Sequence, residues 1–207
     1  MSTRLILVIL LFGVAVAARG QSPIEKHDIH SLALLPVIGD VVPETIRDLL
    51  TGELKSQLEK GFPKLKIKTT ADSLSALSQA GELNDFGNLV NLYTKTGVID
   101  SGAAGRVAKA MSVESVLLIN VQEYLAQKGK WSRGKSSYNS VRAQCYLLNS
   151  LGQPIWHHLV AYVHDPHPWL TAKADPAHEV MEKVATRVVY ALSRGIENTD
   201  PKKDIKP

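Results

Sequence analysis

From Ser31 onward, apolar residues recur at two different periods, and each change of period marks a new element. Ser31–Val37 (SLALLPV) is a short apolar run that stops at Gly39 and Asp40, as a buried strand does. Pro43 suits the first position of a helix, because its φ is already helical and it has no N–H to leave unsatisfied. Ile46, Leu50, Leu54 and Leu58, with Leu49 beside them, then fall on one helical face, and Gly61 supplies a stop. Leu65, Ile67 and Thr69 alternate with Lys64, Lys66 and Lys68, which predicts a half-exposed strand near a sheet edge, where lysines oppose further pairing.

Residues Ser73 to Asp100 are mildly amphipathic and, with Gly81, Gly87 and Gly97 as interruptions, predict short helices. Ser101 is placed to cap a helix through Met111 that turns Val107, Ala108 and Met111 inward. Ser115–Tyr124 has a centre, VLLINV, that is apolar on both faces, the mark of a strand in the middle of a sheet covered on both sides. After a polar, basic stretch from Gln127 to Asn139, Val141, Ala143, Cys145 and Leu147 alternate with Arg142, Gln144 and Tyr146. Turn residues Asn149–Gln153 lead to Ile155–Val163, again strand-like, so these two segments predict an antiparallel hairpin. Past a loop from Asp165 to Asp175, Asp175 can cap a last helix starting at Pro176, with Val180, Met181, Val184, Val188 and Leu192 inward and Gly195 at its end.

The predicted order is β-α-β-α-β-β-β-α: a single α/β domain over residues 31–195, with a mixed sheet and helices on both faces. Residues 21–30 are expected to be a linker and residues 196–207 a disordered polar tail. The chain has 207 residues, 44% of them hydrophobic and 21% charged, enough for one real core and unlike a disordered chain or a fibre.

Ahead of this domain, Met1–Gly20 places Arg4 before an apolar run from Leu5 to Ala18. That run is short for a membrane span, which needs roughly 20 apolar residues, and it has the length of a signal-peptide core. Ala15 and Ala17 make one small-residue cleavage site, and Ala18 with Gly20 makes another ending before Gln21. An exported protein, in a bacterial periplasm, is therefore expected. No cysteine stands at either site, so the expectation is a soluble or peripheral protein without a lipid anchor. Removing residues 1–20 takes away Arg4 and Arg19 and lowers the formal charge from +4 to +2, too little to argue for nucleic acid. Cys145 is the only cysteine, so no internal disulfide can form, and its apolar neighbours predict a small buried side chain, not a nucleophile.

Several segments imitate chemical motifs. Gly129–Ser136, GKWSRGKS, fits the G-x-x-x-x-G-K-[ST] phosphate-binding pattern. That pattern works between a strand and a helix, whereas the residues that follow here alternate as a strand does, so a basic hairpin loop is expected and nucleotide binding is not. The same loop gathers Lys128, Lys130, Arg133 and Lys135 around Trp131 and Tyr138, a set of cations and aromatics suited to a protein interface or an anionic surface. Four histidines lie in HHLVAYVHDPHPW, but His157 and His158 should point to opposite faces of a strand. His158 and His164 share a face some 20 Å apart. Only His164, Asp165 and His167 could meet one metal ion. Gly102–Gly105 opens a helix without a preceding strand, so it carries little phosphate-binding signal, and no catalytic constellation emerges.

Three segments in order, SLALLPV, GRVAKAMSVESVLLINVQEY (Gly105 to Tyr124) and VRAQCYLLNSLGQPIWHHLVAY (Val141 to Tyr162), resemble a known set of proteins. The second is similar to a helix-to-strand passage written a-x-x-l-g-a-d-a-v-l-x-g-x-v-x-x-y. The third is similar to the hairpin l-x-l-v-d-x-x-t-G-e-v-i-w, with Gly152 and Trp156 at its Gly and Trp. Together they resemble the bacterial envelope superfamily of the curli-secretion channel lipoprotein, penicillin-binding-protein activator lipoproteins and the TolB amino-terminal domain. Ser112-Val113-Glu114 stands where that pattern has a small g-a-d turn, and the lipidated cysteine of many members is missing.

The resemblance implies a non-enzymatic accessory protein, without a cofactor, that binds another cell-envelope protein. The basic aromatic loop Lys128–Tyr138 is the expected contact, and Asp165–Trp169 the second choice. Two alternatives stay open: an exported metal-binding protein or hydrolase using the His158–His167 region, and an oligomeric secretion-channel component. Peripheral contact with a membrane and homo-oligomerisation stay open as well.

Overall fold

The computed structural model describes residues 21–39, 42–127, 138–164 and 176–197. The elements, in chain order, are α1 (Pro23–Lys26), β1 (Ser31–Leu34), α2 (Glu44–Gly61), β2 (Lys66–Lys68), α3 (Thr70–Ala80), α4 (Leu83–Thr96), α5 (Ser101–Ala110), β3 (Ser115–Gln127), β4 (Tyr138–Asn149), β5 (Pro154–His164) and α6 (Pro176–Arg194). The strands form one five-stranded sheet in the order β2-β1-β3-β4-β5. β1 is parallel to β2 and β3, while β3, β4 and β5 are antiparallel to one another. This is the mixed α/β sheet expected from the sequence.

Connection handedness explains why helices lie on both faces. The chain steps from β1 to β2 in one direction and from β2 past β1 to β3 in the other. Parallel crossovers keep one hand, so a reversal of direction moves the connecting helices to the opposite face. One face carries α2 and α6, whose Leu50, Leu54, Leu58, Val180, Val184 and Val188 pack on Leu117, Ile119, Cys145 and Leu147. The other carries α3, α4 and α5, whose Leu77, Leu89, Tyr93, Val107 and Met111 pack on Val116, Leu118 and Leu148. The central strand β3 therefore feeds alternate side chains into two cores, which is why its stretch Val116–Ile119 is apolar at every position. Each fully buried leucine contributes about 1.5–3 kcal/mol.

Several local expectations change. Residues 21–30 are not a linker: Ser22 caps α1, and Ile24 and Ile29 are buried in the core beside α6. Two apolar residues in this short segment hold it on the domain. β1 ends at Leu34, although the Leu35 N–H still donates to the Leu117 carbonyl at 3.2 Å. The chain then rejoins β3 through Ile38, which bridges Asn120. Gly39 follows with φ 139°, where a Cβ would lie 2.4 Å from the Val121 carbonyl oxygen.

Pro43 is the residue before α2, not its first, and Asp100, not Ser101, caps α5 by accepting from the Ala103 N–H at 3.0 Å. Gly81 and Gly97 end α3 and α4 in the left-handed conformation, but Gly87 sits inside α4 without breaking it.

Ser112 has φ 53° at the position where the resembled pattern carries glycine. Glu114, in the acidic position of the same turn, accepts from the backbone N–H groups of His30 and Ser31, and its own N–H donates to Ser31 Oγ at 3.0 Å. This turn ties the start of β1 to the start of β3.

Candidate functional site

β3 and β4 are much longer than the strands beside them on the parallel side, and their outer half forms an arm. Val116–Ile119 and Val121 are buried between the helical layers, whereas Gln122, Glu123, Leu125 and Ala126 are exposed. The pairing register slips between Val121 and Glu123, so a bulge stands where β3 leaves its cover. Past it, Tyr124 still packs on the α2/α6 core with Val141, while Leu125 on the opposite face is 48% exposed. Pairing continues to Gln127 opposite Tyr138.

β5 ends at the same place, with His164 opposite Asn139. The segments 128–137 and 165–175 therefore depart from neighbouring strand ends on one side of the sheet. Among the expected contact residues, Lys128, Lys130, Trp131, Arg133 and Lys135 lie outside the described residues, and Tyr138 is described only as the first backbone position of β4. Of the metal alternative, Asp165 and His167 lie outside them too, and His164 is described only in its strand pairing. GKWSRGKS is followed by β4 and not by the helix that a phosphate-binding loop uses.

His157 and His158 do point to opposite faces. His158 is buried on the α6 side, its ring stacked on Trp156 at 5.7 Å, and so does not approach the strand end where His164 lies. Among the described residues no group of three or more His, Cys, Asp or Glu is arranged to hold a metal. Cys145 is completely buried, and burial pushes its thiol well above the usual range, which opposes formation of a nucleophilic thiolate.

A polar seam that the sequence reading did not find crosses the other face. The Tyr93 hydroxyl on α4 donates to Gln144 Oε1 at 2.5 Å, and its ring meets Tyr146 edge-on at 5.6 Å. Tyr146 in turn stacks on His157 at 4.3 Å. Burial raises the Tyr93 pKa and lowers that of His157, so both stay neutral at pH 7. The seam joins a helix to two strands. Its only sequence signal is that Gln144, Tyr146 and His157 share one face, and that pattern cannot tell solvent from an overlying tyrosine.

In the segment Gly102–Gly105, Gly105 serves packing. A Cβ on Gly105 would lie 3.0 Å from the Leu151 carbonyl oxygen, and Gly152, with φ +75°, has Ser101 O 2.1 Å from the place of its missing Cβ. α5 and the β4–β5 turn press together backbone to backbone. Among the described residues no helix is long and apolar enough to cross a membrane.

No family model matches the chain, and no curated protein matches it by sequence. Its fold does recur in solved structures. A hypothetical protein, CT253, from Chlamydia trachomatis aligns with a TM-score of 0.52 at 11% identity, over 80% of this chain and 96% of that one. The lipoprotein GNA1162 from Neisseria meningitidis aligns with a TM-score of 0.50 at 13% identity, over 79% of this chain and 97% of that one. At these identities the likeness is one of fold, and the chain has a fold that is also found in a bacterial lipoprotein.

Proposed function

We propose that this is an exported, non-enzymatic protein of the bacterial cell envelope that binds another envelope protein through the tip of the β3–β4 arm. The observation that carries this reading is the pairing of Gln127 with Tyr138 beyond the helical layers, with β5 ending beside it. That geometry gives the segment Lys128–Ser137 a rigid two-stranded support away from the core. Trp131 is the apolar anchor, and Lys128, Lys130, Arg133 and Lys135 steer an acidic partner toward it, with Tyr138 at the base. Asp165–Trp169 is the neighbouring contact. The fold shared with a lipoprotein and the leader-like Met1–Gly20 support the reading.

The test is cross-linked capture from the native envelope, comparing the unaltered protein with a Trp131→Ala, Lys135→Ala double variant. One dominant partner, lost in the variant at unchanged thermal stability, is the expected result. Identical capture by both forms overturns the proposal.

A further inference from the structure

The turn between β4 and β5 holds up a leucine that neither core covers. Asn149 Oδ1 accepts from the Leu151 and Gln153 N–H groups at 3.0 and 2.9 Å, and the Gly152 N–H donates to the Asn149 carbonyl at 2.8 Å. Gly152 and Gly105 press the turn against α5, so its backbone is fixed on that side as well. Leu151 is nevertheless 68% exposed. Beside it, α5 and the turn border an open hollow of about 520 Å³, lined by Gly102, Gly105, Lys109, Val113 and Leu151 among others. A rigid apolar knob next to a hollow loses little conformational freedom when it docks.

Charge is divided along the outer face of α5. At its amino-terminal end, Asp100 Oδ1 lies 3.2 Å from the place of the missing Gly102 Cβ, and Arg106 Nη1 lies 3.7 Å from it. Arg106 pairs with Asp85, and Asp85 is bonded to Glu82. Three carboxyl groups therefore surround one guanidinium there. About 10 Å further along the helix axis stands Lys109, exposed and without an ion pair among the described residues. Lys68 Nζ joins this end by donating to the Met111 carbonyl, and Glu114 beyond it is occupied by the N–H groups of His30 and Ser31. One end of the face is acidic and the other basic.

From these observations we propose that this face binds a second copy of the chain, across a two-fold axis that sets the two α5 helices antiparallel. Such an axis lays Lys109 of each copy over the acidic end of the other and brings the two Leu151 side chains together in the joined hollows. Arg106 falls near the axis, but each arrives with its own Asp85, so no unpaired like charges meet. The division of charge selects this occupant. A partner of one sign is repelled at one end of the face, whereas the antiparallel copy is attracted at both. One turn and one helix make a small contact, so the expected dimer is reversible, with a Kd of roughly 10–100 μM. The surface lies at the other end of β4 from the arm tip and uses none of the arm-tip residues.

The test is sedimentation equilibrium of the purified protein from about 1 to about 300 μM, a range that brackets such a Kd. A monomer–dimer equilibrium is expected. Leu151→Asp and Lys109→Glu should each raise the Kd about tenfold or more, while Lys109→Arg should leave it within about twofold. Both positions are exposed, so at concentrations where the protein is monomeric these variants should melt as the unaltered chain does. Copies carrying Leu151→Cys should be joined by a short bis-maleimide, whereas copies carrying Tyr190→Cys, on α6 at the opposite face of the sheet, should not; the native Cys145 is buried. Trp131→Ala should leave the equilibrium unchanged, which separates this surface from the arm tip. A monomer at every concentration, dimers that survive both Leu151→Asp and Lys109→Glu, cross-linking through Tyr190→Cys instead of Leu151→Cys, or loss of the dimer in Trp131→Ala would each overturn the proposal.

Discussion

The indole N–H of Trp156 donates to the carbonyl of Ile196 at 3.0 Å, tying the start of β5 to the residues that follow α6. Trp156 is buried against the α6 side of the sheet, so its one polar atom needs a partner, and the chain end supplies it. The tail expected to begin at residue 196 is thus anchored through its first residue. Trp156→Phe keeps the apolar body but removes the donor and part of the ring, and should cost about 1–3 kcal/mol in urea unfolding. Deleting residues 196–207 from that variant should cost less than the same deletion in the unaltered protein. Strict additivity would deny the coupling.

Gly152 should tolerate almost nothing. A Cβ there would be 2.1 Å from Ser101 O and 2.5 Å from Gly105 N, at a φ that L-residues rarely adopt. Gly152→Ala is expected to destabilise by more than about 3 kcal/mol. Leu151→Ala next to it, at a position 68% exposed, should change stability by only about 0.5 kcal/mol. Similar thermal melts for the two variants would contradict this packing.

Glu114 should give the fold an acid-sensitive joint. Its carboxylate accepts from the backbone N–H of His30, the largest cause of its lowered pKa, and from that of Ser31. A carboxyl with a folded pKa below its unfolded value adds stability above the ordinary glutamate range, and this is lost as pH falls through the lower folded value. Glu114→Gln should therefore flatten the acid limb of a stability-versus-pH curve below about pH 4.5, the ordinary glutamate value. An unchanged limb would remove Glu114 from that role.

Tyr93 should resist ionisation. Burial, followed by its bonding to neighbouring side chains, holds its pKa far above the ordinary 10.0. In an ultraviolet titration of the folded protein, one tyrosine should remain protonated after the exposed ones have ionised, and Tyr93→Phe should abolish that late step. The same variant should cost about 1 kcal/mol, because Gln144 Oε1 loses its donor. A titration with no late step would mean that the phenol is not held as described.

Local pattern was enough for the elements that bury one regular face. Leu50, Leu54 and Leu58 mark α2 because helical spacing alone brings them together, and the apolar run Val116–Val121 marks the central strand because only burial on both sides explains it. Val141, Cys145 and Trp156 similarly mark strands whose alternate residues meet one core. The sequence also marks the arm tip as a candidate contact, since cations around Trp131 need no partner from elsewhere to be noticed. Tertiary structure decided what depends on residues far apart. Ile24 and Ile29 leave a presumed linker because α6 is there to cover them. Tyr93 reaches Gln144 across 51 positions, Trp156 finds Ile196 across 40, and Arg187 reaches the Ala161 carbonyl of β5 from a helix 26 residues on. Periodicity records which side of an element is apolar, but a hydrogen bond or a strand edge is defined by whatever the rest of the chain places beside it.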